Sequence, residues 1–472
     1  MSGCLAVIVG TVVALGWQWF GSVEWLIIGV VLAVVAVIRP TITKLGLVIV
    51  AGLLVGLSRG GMELGKRSVL QSYIGETISV QGYVADDPTI SQDGDIRLII
   101  DVGTINGQAI EGKLWVSVPA TEAKLADVRR SDTVELSGKI DSGFGTFAAA
   151  MYRAKLQKIT RTPYIDMARD VRDDFSASIA RVVDSPESDL GSGYLLGTKT
   201  RLPEKLDQEL RLLGLTHIVV ASGYNLSILV RLSRRLFAKI SRFTALALSV
   251  ALVVSFAYVT GWSPSMTRAA MITLISLVTW YYGRKAHPFV LLGVVAGASV
   301  LINPSYAWGD IGWLLSFTSF VGVIILSPML HLYFWGDKPR GTVRQILIET
   351  TSAQLLTMPI IMFVFGQYSP LALIANLLVL PLIPFAMGLV FVAGLAGFLP
   401  WLGLGGVLAW PAQTLLTYMV VVVDWLAGFA IAEQEISLGV TGLVVLYTVI
   451  IGLMVFLYRR ADYNLREFNI VE

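Results

Sequence analysis

The sequence predicts a polytopic α-helical membrane protein with about 12 transmembrane segments and one small β domain inserted after the third segment. Three observations support this fold class. Hydrophobic residues make up 55% of the 472 residues and charged residues only 15%. Apolar runs of membrane-spanning length recur along most of the chain. The region 63–163 has instead the two-residue alternation that is typical of β-strands.

The expected transmembrane segments are the apolar runs that approach the length needed to cross about 30 Å of hydrocarbon. They fall at 5–20, 22–38, 45–57, 215–230, 243–260, 266–282, 287–302, 312–330, 345–365, 371–398, 406–428 and 436–458. The first two runs follow each other directly and lack a basic segment before them, so we expect a membrane hairpin there and not a cleaved signal peptide.

Basic residues predict the orientation of these segments. If the amino terminus is cytoplasmic, every cytoplasmic loop except 399–405 is basic, whereas the short loops 261–265, 303–310, 366–370 and 432–437 contain neither Lys nor Arg. The basic residues are Arg39, Lys44, Arg231, Arg234, Arg235, Lys239, Arg242, Arg284, Lys285, Lys338, Arg340, Arg344, Arg459 and Arg460. The sequence therefore predicts both termini inside the cell and the region 63–163 outside the cytoplasm.

Five short runs in the region 63–163 alternate apolar and polar residues and are separated by turn residues. They are TISVQGYV (77–84), DIRLIIDVG (95–103), EGKLWVSVP (111–119), DTVELSGKI (132–140) and TFAAAMYRAKLQKIT (146–160). Five strands of this length suggest a small barrel, and we expect an OB-like β-barrel domain. An all-β domain with an unrelated role remains an alternative.

The segment after the β domain predicts helices on the membrane surface. Met167, Val171, Phe175 and Ile179 recur at helical spacing among Arg and Asp, as in an amphipathic helix at a bilayer surface, and an ordinary connector remains the alternative. A second short helix is expected over 203–213. The predicted organisation is then 1–62 transmembrane, 63–163 β domain, 164–213 surface helices, 214–460 transmembrane channel domain and 461–472 cytoplasmic tail.

Polar residues interrupt four of the apolar runs, and polar groups in hydrocarbon need protein partners or a wet cavity. Ser222 and Gly223 break one run and Asn225 follows them, although small residues also serve close helix packing. Arg268 lies one turn into its run and either reaches the surface or provides a positive charge inside the bundle.

The other two interruptions lie further along the chain. Asp310 stands at the start of a run, as a lining residue or as a helix cap. Gln354 and Asn376 lie in long apolar stretches, and Pro381 and Pro384 predict that the second stretch is broken beside a cavity.

The sequence contains no recognisable catalytic or metal-binding motif. Its single cysteine and three histidines lack metal-ligand spacing, and His217 lies five residues from Ser222, a poor spacing for a base and its nucleophile. No Gly-rich nucleotide loop is present. We therefore predict no metal, no cofactor and no enzymatic activity.

The order of several motifs resembles the ComEC/Rec2 family of competence proteins. The motifs are GYLLG (193–197), LGLTHIVVASGYNL (213–226), GWSPSMTRAAM (261–271), NP (303–304) with GWLLSF (312–317), and MPIIMFVFGQYSPLALIANLLVLPL (358–382). The β domain is similar to the family's extracellular OB-like domain. Two departures stand out: Asn225 replaces a histidine common in the family, and we expect this protein to lack the metallo-β-lactamase-like domain of many members.

The resemblance implies a channel in the bacterial inner membrane that takes up single-stranded DNA during natural transformation. Implied partners are single-stranded DNA, membrane lipids, a separate cytoplasmic motor or strand-binding protein, and a separate nuclease. The expected path residues are Ser222, Gly223, Asn225, Arg268, Asp310, Gln354 and Asn376, and the expected DNA-binding residues of the β domain are Arg153, Lys155, Lys158, Arg161 and Tyr152. A secondary transporter of a small anionic solute and an intramembrane enzyme acting on lipid-linked substrates remain alternatives.

Overall fold

The fold is described from a computed structural model that covers residues 1–16, 23–38, 41–91, 94–119, 128–162, 165–198, 202–219, 223–284, 287–336, 341–399, 405–429 and 434–460. Ser222 and the expected tail 461–472 lie outside these described residues. The chain forms two compact units, one of Met1–Arg169 with Phe289–Trp313 and one of Asp170–Pro288 with Leu314–Glu472.

Helices form most of both units. They are α1 (Ser2–Gly16), α2 (Val23–Ile38), α3 (Thr41–Gln71), α4 (Met167–Ile179), α5 (Glu187–Leu196), α6 (Glu204–Leu212), α7 (Thr216–Val219), α8 (Gly223–Phe237), α9 (Arg242–Thr260), α10 (Pro264–Tyr281), α11 (Pro288–Ile302), α12 (Tyr306–Gly309), α13 (Ile311–Val321), α14 (Ser327–Trp335), α15 (Thr342–Phe365), α16 (Ala372–Val379), α17 (Ile383–Gly397), α18 (Gly405–Ala427) and α19 (Val440–Arg460). A π-helical turn, Gly322–Leu326, joins α13 to α14, and a 3₁₀ turn, Leu380–Leu382, joins α16 to α17.

Seven helical segments of the described chain are long and apolar enough to cross a membrane. They are Lys44–Gln71, Arg242–Thr260, Ile311–Trp335, Val343–Phe365, Ala372–Gly397, Gly405–Ala427 and Val440–Arg460, and three shorter apolar helices accompany them at Ser2–Gly16, Glu24–Ala36 and Pro288–Ile302. This arrangement confirms a polytopic membrane protein, whereas the count of about 12 segments and their orientation stay predictions. The less apolar helices α8 and α10 are not among the seven.

Close packing of small residues joins α1 to α3 in the first unit. A Cβ atom on Gly56 would lie 2.2 Å from the carbonyl oxygen of Val7, so only glycine permits this approach of the two backbones. The hydroxyl of Thr11 donates to the carbonyl oxygen of Gly56 at 3.3 Å. These contacts replace the hydrophobic effect, which does not drive helix association in lipid.

The helix α3 continues past its apolar half and leads into the β domain. Its predicted apolar run ends at residue 57, yet the helix extends to Gln71. The guanidinium of Arg59 donates to the carbonyl oxygens of Leu301 (3.0 Å) and Ile302 (3.3 Å) at the end of α11. Leu70, the penultimate residue of α3, is 2% exposed and packs into the core of the β domain.

The β domain is a closed five-stranded barrel with two short additions. Its strands are β1 (Thr77–Val84), β2 (Thr89–Ile90), β3 (Ile96–Ile105), β4 (Gln108–Val118), β5 (Thr133–Ser142), β6 (Ala149–Met151) and β7 (Lys155–Thr160). The ring runs β1-β3-β4-β6-β5 and closes because β5 also pairs with β1. The β4–β6 pair is parallel, and the other ring pairs are antiparallel.

The barrel confirms the prediction from alternating residues, with one difference. The expected fifth strand, 146–160, is divided into β6, which closes the ring, and β7, which pairs with β5. Between them Arg153 has a φ of +50°, which turns the chain. Alternate side chains of the ring fill the core, including the fully buried Val80, Ile100, Leu114, Val116, Val134 and Leu136.

The second unit contains the broken helices that prolines predicted. Pro381 and Pro384 stand where α16 gives way to a 3₁₀ turn and then to α17, because proline cannot donate the backbone hydrogen bonds of a continuous helix. The expected interruption before Asn225 is bounded by the end of α7 at Val219 and the start of α8 at Gly223. A short β8 (Gln367–Tyr368) pairs with β9 (Gln434–Glu435).

Candidate functional site

Asn225 is the most deeply buried of the expected path residues that the structure describes. It lies near the first turn of α8 and is fully buried. Its Nδ2 donates to the carbonyl oxygen of Tyr194 on α5 at 2.9 Å. Its Oδ1 has no hydrogen-bond partner among the described residues. A buried amide oxygen without a donor is rare in folded proteins, so this atom is available to accept a hydrogen bond.

The helix α10 holds Arg268 beside α8. The hydroxyl of Ser263 accepts from the backbone N–H of Met266 at 3.3 Å and caps α10, with Pro264 at its first position. A Cβ atom on Gly223 would lie 2.9 Å from the Cβ of Ala269, the residue after Arg268, so the glycine lets the two helices approach.

Arg268 lies inside the second unit and not at its surface. Its exposure is 3%, which is inconsistent with a side chain that extends to water. A guanidinium keeps its charge in proteins, so α10 carries a fixed positive charge within the helices. Such a charge suits a phosphate or carboxylate more than an uncharged solute.

Asn376 and Gln354 lie on neighbouring helices of the same unit. Asn376 is 5% exposed, its Nδ2 donates to the carbonyl oxygen of Ala372 at 2.8 Å, and its Oδ1 lacks a partner within the described ranges. Gln354 is half-buried on α15, which packs on α16. The hydroxyl of Tyr224 donates to the carbonyl oxygen of Leu380 at 3.5 Å, which brings the start of α8 to the turn that follows α16.

Asp310 belongs to the other unit and caps a helix. Its Oδ1 accepts from the backbone N–H of Trp313 at 2.7 Å, the geometry of the helix-cap alternative. The indole N–H of Trp313 donates to the hydroxyl of Ser299 at 2.9 Å, which holds this turn against α11. A lining role for Asp310 stays an untested prediction, as does that of Ser222.

Four aromatic side chains form a cluster on the outside of the barrel, and we call Trp115, Phe144, Phe147 and Tyr152 the aromatic cluster. The ring of Trp115 lies 5.3 Å from those of Phe144 and Tyr152, and Phe144 lies 5.7 Å from Phe147. Phe144 is 47% exposed and Tyr152 is 48% exposed. Flat rings held together at a surface offer faces on which bases stack.

The topology of the barrel explains how the cluster forms. The parallel β4–β6 pair sets Trp115 opposite the small Ala150. Tyr152 directly follows β6, two residues after Ala150, and its ring lies beside that of Trp115. Phe144 and Phe147 belong to the loop between β5 and β6. The sequence shows these aromatic residues but gives no signal that these four assemble, whereas Tyr83 is exposed elsewhere on β1.

The expected basic residues of the barrel differ in their surroundings. Arg153, Lys155 and Lys158 are exposed, and Arg153 directly follows the aromatic cluster. Arg161 instead binds Asp132, with Nη2–Oδ2 at 2.7 Å and Nε–Oδ1 at 2.9 Å. Its charge is therefore balanced within the barrel, and Arg153 is the cation best placed beside the cluster.

A network of ion pairs joins the barrel to the start of α4. Asp166 accepts from the guanidinium of Arg130 at 2.8 and 3.2 Å, from the hydroxyl of Ser131 at 3.0 Å and from the backbone N–H of Arg169 at 2.9 Å. Burial of the Asp166 carboxyl opposes ionisation, but the hydrogen bonds from Arg130 and Arg169 outweigh it and lower the pKa of Asp166. Arg169 also donates to the carbonyl oxygen of Arg130.

We expect Asp166→Asn to weaken this junction in a pH-dependent way. A lowered pKa means that the ionised carboxylate stabilises the folded state above the ordinary Asp pKa of about 3.9, and that this stability is lost as the pH falls through the folded pKa. At pH 7 the variant should lose about 1–3 kcal/mol of junction stability. Hydrogen exchange of the first-turn amides of α4 measures it. Below about pH 4 the hydrogen-exchange protection of wild type should approach that of the variant. A difference in protection that stays constant there would contradict the role of the ionised Asp166.

Candidate metal-ligating side chains are scattered in the described part of the chain. No group of three or more His, Cys, Asp or Glu side chains is gathered there in a way that could hold an ion. The features that the structure offers are a buried arginine, two buried amides and an exposed aromatic cluster.

Comparison with known proteins places the chain in a family. The family model described as competence protein matches residues 194–461, more than half of the chain. The chain belongs to the competence protein family. ComE operon protein 3 of Bacillus subtilis (strain 168) is 27% identical over 181 residues, which are 37% of this chain and 22% of that relative. The match thus covers less than a quarter of the relative's length. No solved structure matches the chain.

The family match covers the helices that carry the buried polar residues. Asn225, Arg268, Gln354 and Asn376 all lie within residues 194–461, whereas the barrel and its aromatic cluster lie before them. The family match therefore falls mainly on the second unit.

Proposed function

We propose that this protein conducts single-stranded DNA across the inner membrane of a bacterium during natural transformation. The observation that carries the proposal is the competence-family match over residues 194–461, which includes the buried Asn225 and Arg268. The concentration of Lys and Arg in the loops on one side of the membrane supports an orientation with both termini in the cytoplasm and the barrel outside.

The second unit supplies groups that suit a polynucleotide. Arg268 provides a fixed charge for a phosphate, and its planar guanidinium binds phosphate oxygens in pairs. The Oδ1 atoms of Asn225 and Asn376 have no partner among the described residues and can accept hydrogen bonds, which the exocyclic amino groups of bases donate. The 3₁₀ turn between α16 and α17 adds irregular backbone, which membrane proteins tolerate where it lines a wet cavity.

The barrel supplies a first contact for the strand. We assign its ring to the OB-like class, in which one barrel face and the adjoining loops bind oligonucleotides. The aromatic cluster stacks the bases, and Arg153 contacts a neighbouring phosphate. Stacking tolerates any base sequence, which suits a protein that takes up DNA without sequence preference.

The driving force for transport and the degradation of the second strand are assigned to other proteins. No nucleotide-binding loop stands in the sequence, so we propose that a cytoplasmic motor or a strand-binding protein pulls the strand. A separate nuclease degrades the second strand. We assign this chain no catalytic step and no cofactor.

Deletion of the gene in its host tests the proposal. Labelled double-stranded DNA is added to wild type, to the deletion strain and to the deletion strain that carries the gene on a plasmid. We expect DNA on the surface of all three, and nuclease-protected DNA inside the first and third only. Normal internalisation in the deletion strain would overturn the proposal and would favour transport of a small anion bound by Arg268.

A further inference from the structure

The carboxyl-terminal half of α8 and the residues that follow it carry five cations without an acidic partner. None of the five forms an ion pair with an acid in the described part of the chain. The sequence contains neither Asp nor Glu between Glu209 and Asp310, so this stretch of the chain has no acid of its own to balance them. We call these five residues the α8 patch: Arg231, Arg234, Arg235, Lys239 and Arg242.

Arg234 is the best-ordered cation of the patch. Its guanidinium lies 4.5 Å from the ring centroid of Trp280 at the end of α10, a cation–π contact that restricts its movement. Its Nε is buried and has no hydrogen-bond acceptor among the residues that the structure describes. Arg231 precedes Arg234 by three residues and Arg235 by four, so one turn of α8 presents three neighbouring guanidinium groups. This arrangement favours an anion with several oxygen acceptors.

Glu349 on α15 is an acid near enough to compete with an external anion for Arg231. Arg231 and Glu349 both act electrostatically on the hydroxyl of Tyr224. Glu349 nevertheless forms no ion pair with Arg231, and it accepts a hydrogen bond from the side-chain amide of Gln345 at 2.8 Å. The charge of Arg231 is therefore available to an anion from outside the protein.

Apolar side chains beside the cations identify this anion as part of a lipid. Leu232, Leu236 and Ile240 alternate with the cations along the chain and are 54%, 57% and 72% exposed. Phe243 follows in the first turn of the span Arg242–Thr260 and is 65% exposed. A polynucleotide offers phosphates but no hydrocarbon for these side chains. A phospholipid offers both, at the depth where a span enters the bilayer.

We propose that the α8 patch binds the headgroups of anionic phospholipids, while Leu232, Leu236 and Phe243 contact their acyl chains. The hydroxyls of Ser233 and Ser249 share a hydrogen bond at 3.0 Å, which holds α8 against the span α9. Clusters of basic residues at the ends of membrane helices attract anionic headgroups in this way. This lipid site is independent of the proposed DNA transport.

The end of α19 provides a matched control. This helix, a span that is only 11% buried within the protein, ends with Arg459 and Arg460. Arg460 also lies over an aromatic ring, that of Phe456 at 5.9 Å. A general preference for cations at one end of each span acts on both helices. The α8 patch differs because it has five cations and no acid nearby in the sequence, whereas Asp462 follows Arg460 by two residues.

Bromine quenching in nanodiscs measures which lipid collects at each helix end. Cys4 is the single cysteine, so the full-length chain with Cys4→Ser accepts one new cysteine for a small fluorophore. Leu232→Cys places the label three residues before Arg235, and Val455→Cys places it four residues before Arg459; both positions are exposed. Phosphatidylcholine nanodiscs contain a small fraction of brominated lipid, either phosphatidylglycerol or phosphatidylcholine. The ratio of the two quenching effects gives the local enrichment of the anionic lipid.

We expect phosphatidylglycerol to be enriched at least about threefold at position 232 and to show no enrichment at position 455. Arg231→Gln with Arg234→Gln should abolish the enrichment at position 232, whereas Arg459→Gln with Arg460→Gln should leave it unchanged. Equal enrichment at the two positions would overturn a specific site, because cations at any span end would then suffice.

A second pair of substitutions, Lys239→Gln with Arg242→Gln, leaves the contact of Arg234 with Trp280 intact. Both side chains are exposed, and we expect their loss to lower the enrichment at position 232 in part. Unchanged enrichment would contradict the patch. An excess of a single-stranded oligonucleotide should leave the brominated lipid in place. Displacement of the lipid by the oligonucleotide would assign the patch to DNA and overturn the lipid site.

Discussion

Replacement of Arg268 by leucine is expected to reduce DNA uptake by about 10- to 150-fold. Leucine keeps much of the apolar volume but removes the one feature of this position that attracts phosphate, its fixed charge. A hydrogen bond to a charged group contributes about 1.5–3 kcal/mol, and about 1.4 kcal/mol corresponds to a factor of ten. Arg268 is 3% exposed, so water does not screen its charge as it does on a surface.

The design of this experiment separates lost charge from lost structure. Arg268→Lys keeps the positive charge without the planar fork, and we expect uptake between wild type and Arg268→Leu. Arg235→Leu removes an exposed arginine from α8 and should leave uptake near wild type. Membrane levels and thermal stability of each variant are measured first. A stably inserted Arg268→Leu protein with normal uptake would show that Arg268 does not act on DNA.

Removal of Trp115 should have the second large effect, on binding of single-stranded DNA by the purified full-length protein. Base stacking on an aromatic side chain contributes about 1–3 kcal/mol per base, so Trp115→Ala should weaken binding by about 5- to 150-fold. Trp115 touches both Phe144 and Tyr152, so its loss also separates the other rings of the cluster. Fluorescence anisotropy of a labelled oligonucleotide measures the change.

Tyr83→Ala is the matched control for the aromatic cluster. Tyr83 is 52% exposed on β1 of the same barrel and is absent from the ring contacts of the cluster. We expect its loss to leave binding within about twofold of wild type, since no base stacks there. Equal weakening by Tyr83→Ala and Trp115→Ala would indicate a general effect on the barrel and would contradict a specific stacking site.

Local patterns were sufficient to predict much of the fold. The run 77–84 alternates at every position and became β1 without a change of bounds. Pro381 and Pro384 predicted the break between α16 and α17, because proline acts on its own backbone wherever the helix lies. The length of α3 was not predicted, because its apolar run ends at residue 57. The polar half that follows is supported by contacts of Arg59 and Leu70 with distant parts of the chain.

The site was less accessible to sequence reasoning, because it depends on contacts between distant residues. Arg161 looked like one of four free cations, but Asp132, 29 residues earlier, binds it. The aromatic cluster depends on the parallel pairing of β4 with β6, which no local pattern encodes. Asp310 was ambiguous between a lining residue and a cap, and the backbone N–H of Trp313 shows the cap.

The central claim, that DNA passes beside Asn225 and Arg268, is tested most directly by photo-crosslinking during uptake. The photoreactive analogue p-benzoylphenylalanine replaces Tyr224, which adjoins Asn225 on α8 and is 40% exposed. The control carries it at Val449, on the span that is 11% buried within the protein and faces lipid. Cells take up labelled DNA and are then irradiated.

We predict a crosslink from position 224 to single-stranded DNA, sensitive to a single-strand nuclease, and no crosslink from position 449. Cells that take up DNA normally but give no crosslink at 224, or that give equal crosslinks at both positions, would contradict a path along α8.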